Sequence, residues 1–283
     1  MDYFLVAFLA FAISGQSLIG GFYKQKSGSP FVYQMAVSSA AFIFFIIGAK
    51  FHIKFDKQLL VYGGIYGLSY SAYFIGQILA IKEGSVSLTA LILSYSLIIP
   101  TLFGVIVYKE YPNISFYVGF VFFVLSLLFI GIPREKNTLK ITKKWVIYVL
   151  ISFFANGMCA VVMSRYQLLT NGENSFDFMS CAMLGAVIIS AVALLVSREN
   201  KKVNMVRTLL YGGTCGVINA ASNYALMILA IGVIPLSVIY PTVSAVSLAL
   251  SAVLSRIIFK EKLDKLGILG VAIGLVAVVL MNI

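Results

Sequence analysis

Long uncharged stretches of mostly apolar residues, separated by short connections that carry the charges, make up most of this chain. There are nine of them: 3–23, 27–49, 58–81, 84–108, 111–133, 145–164, 178–197, 208–255 and 266–283. A helix needs about 20 consecutive apolar residues to cross the ~30 Å hydrocarbon core of a bilayer. Eight of the nine stretches have the length of one such helix, and each therefore predicts one membrane-spanning helix.

The ninth stretch, 208–255, holds 48 residues and predicts two helices. Gly232 and Pro235 interrupt it near the middle. A helix usually ends before a proline, and proline fits well in the first turn of the next helix. The complete pattern therefore predicts an all-α, polytopic membrane protein with ten transmembrane helices.

The second half of the chain repeats part of the first. Three segments recur at an almost constant offset: LVYGGIYG at 60–67 as LLYGGTCG at 209–216, ILAI at 78–81 and again at 228–231, and Lys109-Glu110 as Lys260-Glu261. Because each half has five spans, an odd number, the second copy must enter the membrane from the opposite side. The prediction is two inverted five-helix repeats, 1–133 and 145–283, joined by a basic connecting loop at 134–144. Inverted repeats are typical of secondary transporters that work by alternating access.

Glycines one helical turn apart stand at equivalent places in helices 3 and 8. They are Gly63 and Gly67 in the first half, and Gly212 and Gly216 in the second. Small residues at this spacing let two membrane helices approach closely. We therefore interpret these glycines as packing residues rather than ligand contacts.

Composition and charge exclude several classes of function. Hydrophobic residues make up 61% of the chain and charged residues only 11%, which excludes an ordinary soluble domain. The net charge of +11 does not indicate nucleic-acid binding, because the basic residues are scattered over the helix connections. Sixteen of the 21 fall in odd-numbered connections and five in even-numbered ones. The positive-inside rule then places the odd-numbered connections in the cytoplasm and both termini outside.

Three features together resemble the EamA-type branch of the drug/metabolite transporter superfamily: the two inverted five-helix halves, the Lys-Glu step that closes helices 4 and 9, and the Ser-rich start of helix 4. The resemblance covers nearly the whole chain, although Lys109 and Lys260 stand where the family usually has glycine. It implies transport of amino acids, other small metabolites or drugs through a cavity lined by helices 1, 3, 4, 6, 8 and 9. It also implies a bacterial plasma membrane location and cytoplasmic termini, the opposite of what the charge count predicts.

Charged side chains are missing from the interior of the predicted spans. All ten acidic residues fall in connections or at helix ends. A charge at the bilayer centre costs roughly 2.5–3.5 kcal/mol on insertion scales and is normally kept only for function. Its absence argues against a proton relay, and against an enzyme with a carboxylate pair, metal ligands or an activated nucleophile. Cys159, Cys181 and Cys215 are isolated within spans, so we interpret them as packing residues and expect neither a metal nor a cofactor.

Polar and aromatic side chains at helical spacing within the spans are the candidate substrate-binding residues. An Asn or Gln that faced lipid would leave its hydrogen-bonding groups unsatisfied, so these side chains should face the protein interior. The candidates are Gln16 in helix 1, Tyr70, Tyr73 and Gln77 in helix 3, Ser94 and Tyr95 in helix 4, Asn156 in helix 6, Asn219, Asn223 and Tyr224 in helix 8, and Tyr240 and Ser244 in helix 9. The alternative interpretation, strongest for the serines, is hydrogen bonding between helices.

The sequence therefore predicts a secondary transporter or facilitator that moves a small neutral or zwitterionic metabolite, such as an amino acid, by alternating access. One alternative is an exporter of small organic cations, because tyrosine rings attract such cations. A second is a membrane-embedded enzyme acting on a lipid-linked substrate, which would need an Asp/His cluster at one membrane face. The expected partners are the solute and the lipid bilayer, with no nucleic acid. We expect a monomer, because the two halves already form one inverted pair.

Overall fold

The computed structural model describes residues 2–25, 29–83, 89, 92–93, 95–110, 112–131, 142–197, 204–232, 234–259 and 265–282. Within these ranges the chain forms α-helices and one 3₁₀ turn, Tyr95–Leu97, and contains no strand, which confirms the all-α prediction. The α-helices are α1 (Asp2–Gln25), α2 (Pro30–Gly48), α3 (Lys57–Glu83), α4 (Ile98–Val107), α5 (Ile114–Gly131), α6 (Lys143–Thr170), α7 (Ser175–Ser197), α8 (Met205–Ala230), α9 (Leu236–Phe259) and α10 (Lys265–Asn282).

Several of these helices have the length and composition of membrane spans. Four stretches qualify among the described residues: Phe31–Gly48, Lys143–Thr170, Ser175–Val196 and Met205–Ala230. Five further apolar stretches of helix are shorter, at 10–17 residues. α3 has 27 residues, but the tyrosines and glutamines along it lower its hydropathy. Several of the same polar side chains line the cavity described below.

Local capping signals set the ends of α6. The Thr142 hydroxyl accepts a hydrogen bond from the Trp145 amide at 3.1 Å and so caps the first turn. Asn171, in the left-handed region at φ 49°, ends the helix. α6 consequently runs past the predicted limit at Ser164 and includes Arg165. The helix ends at its C-terminal cap, Asn171, and not at the last residue of the apolar stretch.

The break predicted within 208–255 is present. α8 ends at Ala230, and α9 begins at Leu236. Pro235 immediately precedes α9. Its lack of an amide hydrogen costs no hydrogen bond there, because the first N–H groups of a helix have no partner within the helix.

Helices of the two halves pack against each other in equivalent pairs. α3 packs against α6 and α7. α8, the fifth helix after α3, packs against α1 and α2, which lie five helices before α6 and α7. α1 packs against α9 as α6 packs against α4, and α5 packs along α10. These contacts therefore have counterparts when the two halves are exchanged.

The paired glycines bring helices into close contact, as their spacing predicts. Gly67 of α3 lies against the backbone of α7, where a Cβ atom would come within 2.6 Å of the Ala182 carbonyl oxygen. Gly216 of α8 lies against α2 in the same way, at the Val37 carbonyl. At Gly64, by contrast, no atom lies within 4 Å of the position of a Cβ. The packing interpretation of Gly67 and Gly216 is confirmed.

The two residues that cap α6, Thr142 and Asn171, give their names to the two opposite ends, or faces, of the helical assembly. We call one of them the Asn171 face; there, residues from the connections that follow α2, α6 and α8 line one small cavity of about 300 Å³. We call the other the Thr142 face. On that face the Trp145 indole, at the start of α6, donates a hydrogen bond to Thr89 Oγ1 at 3.0 Å, close to the end of α3.

Candidate functional site

A cavity of about 540 Å³ lies between the two halves. Residues of α1, α2, α3, α6, α8 and α9 line it, together with Leu97 of the 3₁₀ turn. Most of its polar side chains are of two kinds, primary amides (Gln16, Gln34, Gln77, Asn156, Asn219 and Asn223) and tyrosines (Tyr33, Tyr66, Tyr70, Tyr73 and Tyr240). None of the described lining residues carries a formal charge.

The structure brings most of the sequence candidates together around this cavity. Eight of the twelve line it: Gln16, Tyr70, Tyr73, Gln77, Asn156, Asn219, Asn223 and Tyr240. The two amides expected to face inward from α1 and α6 do so. Substrate binding by these residues stays a prediction, which the next subsection takes up.

Three other candidates lie away from the cavity, and Ser94 lies outside the described residues. The Tyr95 hydroxyl donates a hydrogen bond to the Val124 carbonyl of α5 at 3.3 Å. Tyr224 lines the smaller cavity near the Asn171 face, because one step along a helix from Asn223 turns the side chain by about 100°. Ser244 is buried among the helices, and its carbonyl accepts a hydrogen bond from the Ser247 hydroxyl within the same helix, α9.

Hydrogen bonds join polar side chains of α1, α3 and α8 into one chain across the cavity wall. Gln16 Nε2 donates to Ser222 Oγ at 3.1 Å, and Asn219 Nδ2 donates to Gln16 Oε1 at 3.0 Å. Asn223 Nδ2 donates to Asn219 Oδ1 at 3.0 Å, and the Tyr66 hydroxyl donates to Asn223 Oδ1 at 3.1 Å. Three of these four hydrogen bonds join the first half to the second, so the cavity wall links the two halves.

The tyrosines form a second part of the wall. The rings of Tyr66 and Tyr70 stack with their centroids 6.2 Å apart and their planes 13° apart. On the α9 side the Tyr240 hydroxyl donates to the Ala160 carbonyl at 3.2 Å and lies 2.7 Å from Ser164 Oγ. Because a phenol has one proton, Ser164 is the donor in the second bond.

The candidate set misses some of the lining residues. Gln34 of α2 is buried in the wall, and its Nε2 donates to Ser38 Oγ at 3.2 Å. The signal that identified Gln16, an amide within an apolar helix, applies equally to Gln34. Cys159 and Cys215, interpreted from the sequence as packing residues, also line the cavity, because their helices turn them inward.

Tightly buried side chains pack near the Asn171 face, where α6 ends and α7 begins. Tyr166 and Phe178 stack with ring centroids 4.4 Å apart. Other fully buried side chains surround this pair, and we call the group the plug: Phe45, Met163, Tyr166, Phe178, Met179, Met183 and Met227. A second buried cluster, from α1, α6, α8 and α9, continues it beside the cavity.

Two carboxylates form hydrogen bonds between the two halves near the same face. Glu110, after α4, accepts hydrogen bonds from the backbone amides of Leu236 and Ser237 at 3.0 and 2.8 Å. These amides belong to the first turn of α9, where a helix presents unpaired N–H groups and positive charge. In the reverse direction, Asp177 of the second half accepts a hydrogen bond from the Lys54 amide of the first half at 3.2 Å.

Comparison with known proteins gives a family and a fold. Residues 143–283 match the model of the EamA-like transporter family. No curated protein matches the chain, whereas 28 chains of solved structures do. One of these, described only as "Crystal structure of protein", superposes with a TM-score of 0.79 over 99% of this chain and 95% of that chain, at 11% identity. At so low an identity the likeness shows a shared fold and nothing about the solute.

Proposed function

This chain belongs to the drug/metabolite transporter superfamily, and on that premise we propose that it is a secondary transporter or facilitator for a small neutral or zwitterionic metabolite. The family is one of membrane transporters, which is consistent with the expectation that the chain is not an enzyme. We further propose ten spans in two inverted repeats, acting as a monomer in the bacterial plasma membrane. The hydrophobic pattern and the equivalent helix pairs support this arrangement.

The observation that carries the proposal is the uncharged, amide-lined cavity between the halves. Its volume of about 540 Å³ lies within the range of pockets that hold small organic ligands. Hydrogen bonds that served only to join helices would draw the side chains together and fill the space between them. The cavity instead leaves amide and phenol groups facing a space large enough for a metabolite.

Closure on one face supports alternating access. The plug and the two carboxylate contacts lie toward the Asn171 face. We therefore propose that this conformation is closed on that face and that solute enters from the Thr142 face. In the sequence repeat, Glu261 of the second half corresponds to Glu110 of the first half. Exchanging the roles of the halves would then close the Thr142 face and open the Asn171 face, as expected of inverted repeats.

Reconstitution in liposomes tests the proposal. Uptake and counterflow of labelled neutral and aromatic amino acids, purines and small organic cations would be measured, alongside thermal unfolding of the purified protein with the same compounds. A ligand at a hundred times its dissociation constant should stabilise the protein by about 2.7 kcal/mol. We expect one solute class to move, with Tyr73→Ala and Asn223→Ala abolishing both transport and stabilisation. Tyr95→Phe, outside the cavity, is the matched control, and equal losses in all three variants would contradict the cavity assignment.

The five tyrosines in the cavity wall favour one second candidate, an exporter of small organic cations. Tyrosine rings attract quaternary ammonium groups through their faces. If only such cations stabilise the protein, and Tyr73→Ala removes the effect while Asn223→Ala does not, this second function replaces the first.

A further inference from the structure

The six primary amides in the cavity wall share one chemical property that no other neutral side chain has. Each carries a hydrogen-bond acceptor and a two-proton donor side by side in one plane. This edge matches a second amide edge, or the adjoining donor and acceptor atoms of a nucleobase, and makes two hydrogen bonds at once. A wall that combines several such edges with stacked phenol rings therefore selects for planar molecules with an amide-like edge.

The hydrogen-bond network leaves some of these edges open. Gln16 and Asn223 use both amide protons on protein acceptors, so neither has a free amide proton to donate to a solute. Gln34 differs, because its side chain is 2% exposed, its Nε2 donates to Ser38, and its Oε1 has no partner among the described residues. Leaving a buried carbonyl oxygen without a donor is costly, so this atom is suited to accept a hydrogen bond from a solute.

Asn156 presents a second open edge across the cavity. Its Nδ2 donates to Ser96 Oγ at 2.6 Å, and no described protein group is bonded to its Oδ1. Gln34 lies on α2 and Asn156 on α6, in different halves of the chain, and both residues line the same cavity. A planar solute held by both would therefore bridge the halves.

The absence of formal charge among the described lining residues argues against a zwitterion. An ammonium or carboxylate group that leaves water needs a countercharge or several strong hydrogen bonds to compensate for lost hydration. A neutral amide or heterocycle needs only the neutral donors and acceptors that this wall supplies. The near-parallel rings of Tyr66 and Tyr70 add a flat aromatic surface for stacking.

Building on the proposed transport function, we propose that the solute is a neutral, planar heteroaromatic molecule with a carboxamide, lactam or ring-imide edge. The solute class proposed above, neutral or zwitterionic metabolites, is thereby narrowed to neutral ones. It assigns edge recognition to Gln34 and Asn156, and stacking to the paired tyrosines.

Three probes that share a pyridine ring and differ in charge test the proposal. Nicotinamide is neutral at pH 7, nicotinate is an anion and 3-(aminomethyl)pyridine is a cation; uracil and hypoxanthine extend the neutral set. Binding to the purified full-length protein would be measured by isothermal titration. We expect at least one neutral probe to bind with a dissociation constant tenfold or more below those of both charged pyridines and of phenylalanine.

Variants connect this selectivity to the wall. Gln34→Met keeps the length of the side chain but removes its amide, and should weaken binding of the neutral probe about tenfold. Gln167→Met is the control, because Gln167 is equally buried and has an unpartnered amide nitrogen, yet lines the smaller cavity.

Two outcomes would overturn the proposal. In one, a charged pyridine or phenylalanine binds as tightly as the best neutral probe; in the other, no neutral probe binds at all. Neither outcome would remove the proposed transport function. That function has its own test in the accessibility of Cys159 from the two faces, described below, which needs no solute.

Discussion

Replacing Glu110 by glutamine should loosen the closed Asn171 face. The carboxylate lies in a notch made by Gly104, where a Cβ atom would come within 2.6 Å of Glu110 Oε2. From there its two oxygens reach the amides of Leu236 and Ser237 in the other half. A glutamine fits the same notch but keeps only one acceptor oxygen, and its NH₂ group would face a backbone N–H.

The size of the effect follows from the lost hydrogen bond. A hydrogen bond to a charged group contributes about 1.5–3 kcal/mol. Because Glu110 is only partly buried, we use the lower end of this range. A free-energy change of about 1.4 kcal/mol corresponds to a tenfold change in an equilibrium constant. The open population at the Asn171 face should therefore rise about tenfold.

Cys159 provides the assay, because it is buried and lines the central cavity. With Cys181 and Cys215 replaced by alanine, a membrane-impermeant maleimide added to one side reaches Cys159 only when the cavity opens to that side. In sealed vesicles we expect Glu110→Gln to raise the labelling rate from the Asn171 face about tenfold and to lower it from the Thr142 face. Glu173→Gln, an exposed carboxylate in the connection between α6 and α7, is the matched control.

An unchanged labelling rate in Glu110→Gln, with its unfolding temperature near that of the parent, would refute the inference that Glu110 holds the Asn171 face closed. Labelling of the parent from one face only, under every condition and with every solute, would refute alternating access itself. The same experiment determines orientation. The positive-inside rule predicts that the Asn171 face is extracellular, whereas the family resemblance implies that it is cytoplasmic.

Three further predictions concern packing and the cavity wall. Gly67→Val should lower the free energy of unfolding by roughly 1–3 kcal/mol, because the new side chain would push α3 away from α7, whereas Gly64→Val should be tolerated; equal effects in detergent unfolding would contradict the packing. Tyr240→Phe should cost about 1–2 kcal/mol through its two lost hydrogen bonds, measured against exposed Tyr117→Phe, and an unchanged unfolding temperature would count against the α6–α9 contact. Asn219→Leu should weaken solute binding at least tenfold by titration, and wild-type affinity in this variant would mean that the amide network does not serve the solute.

The sequence alone was sufficient for the all-α class and for one packing rule. Apolar runs predicted helices because hydrocarbon offers no hydrogen-bond partner to the backbone, so a spanning segment must satisfy its own groups. Pro235 predicted the division between α8 and α9, and the glycine spacing predicted close packing at Gly67 and Gly216. Each of these inferences depends on interactions within one helix or on the lack of a side chain, and needs no knowledge of the neighbours.

The candidate site could be predicted only in part, for a physical reason visible in two neighbouring residues. Asn223 and Tyr224 share one helix and one polar stripe, yet the first lines the central cavity and the second the smaller one. Helical periodicity places a residue on a face of its own helix, but the rotation and tilt of that helix against its neighbours decide what the face meets. Gln34 belongs to the cavity for the same reason.

What the sequence by itself determined is thus an all-α chain of membrane-length helices with polar side chains that had to face inward. Only the tertiary structure decided which of those side chains share one cavity, that the described residues of its wall are uncharged, and that Glu110 forms hydrogen bonds from one half to the other. Burial constrains each amide individually, because an unsatisfied amide in lipid is costly. A site, however, requires side chains that are distant along the chain to converge, and convergence is a property of how the helices pack.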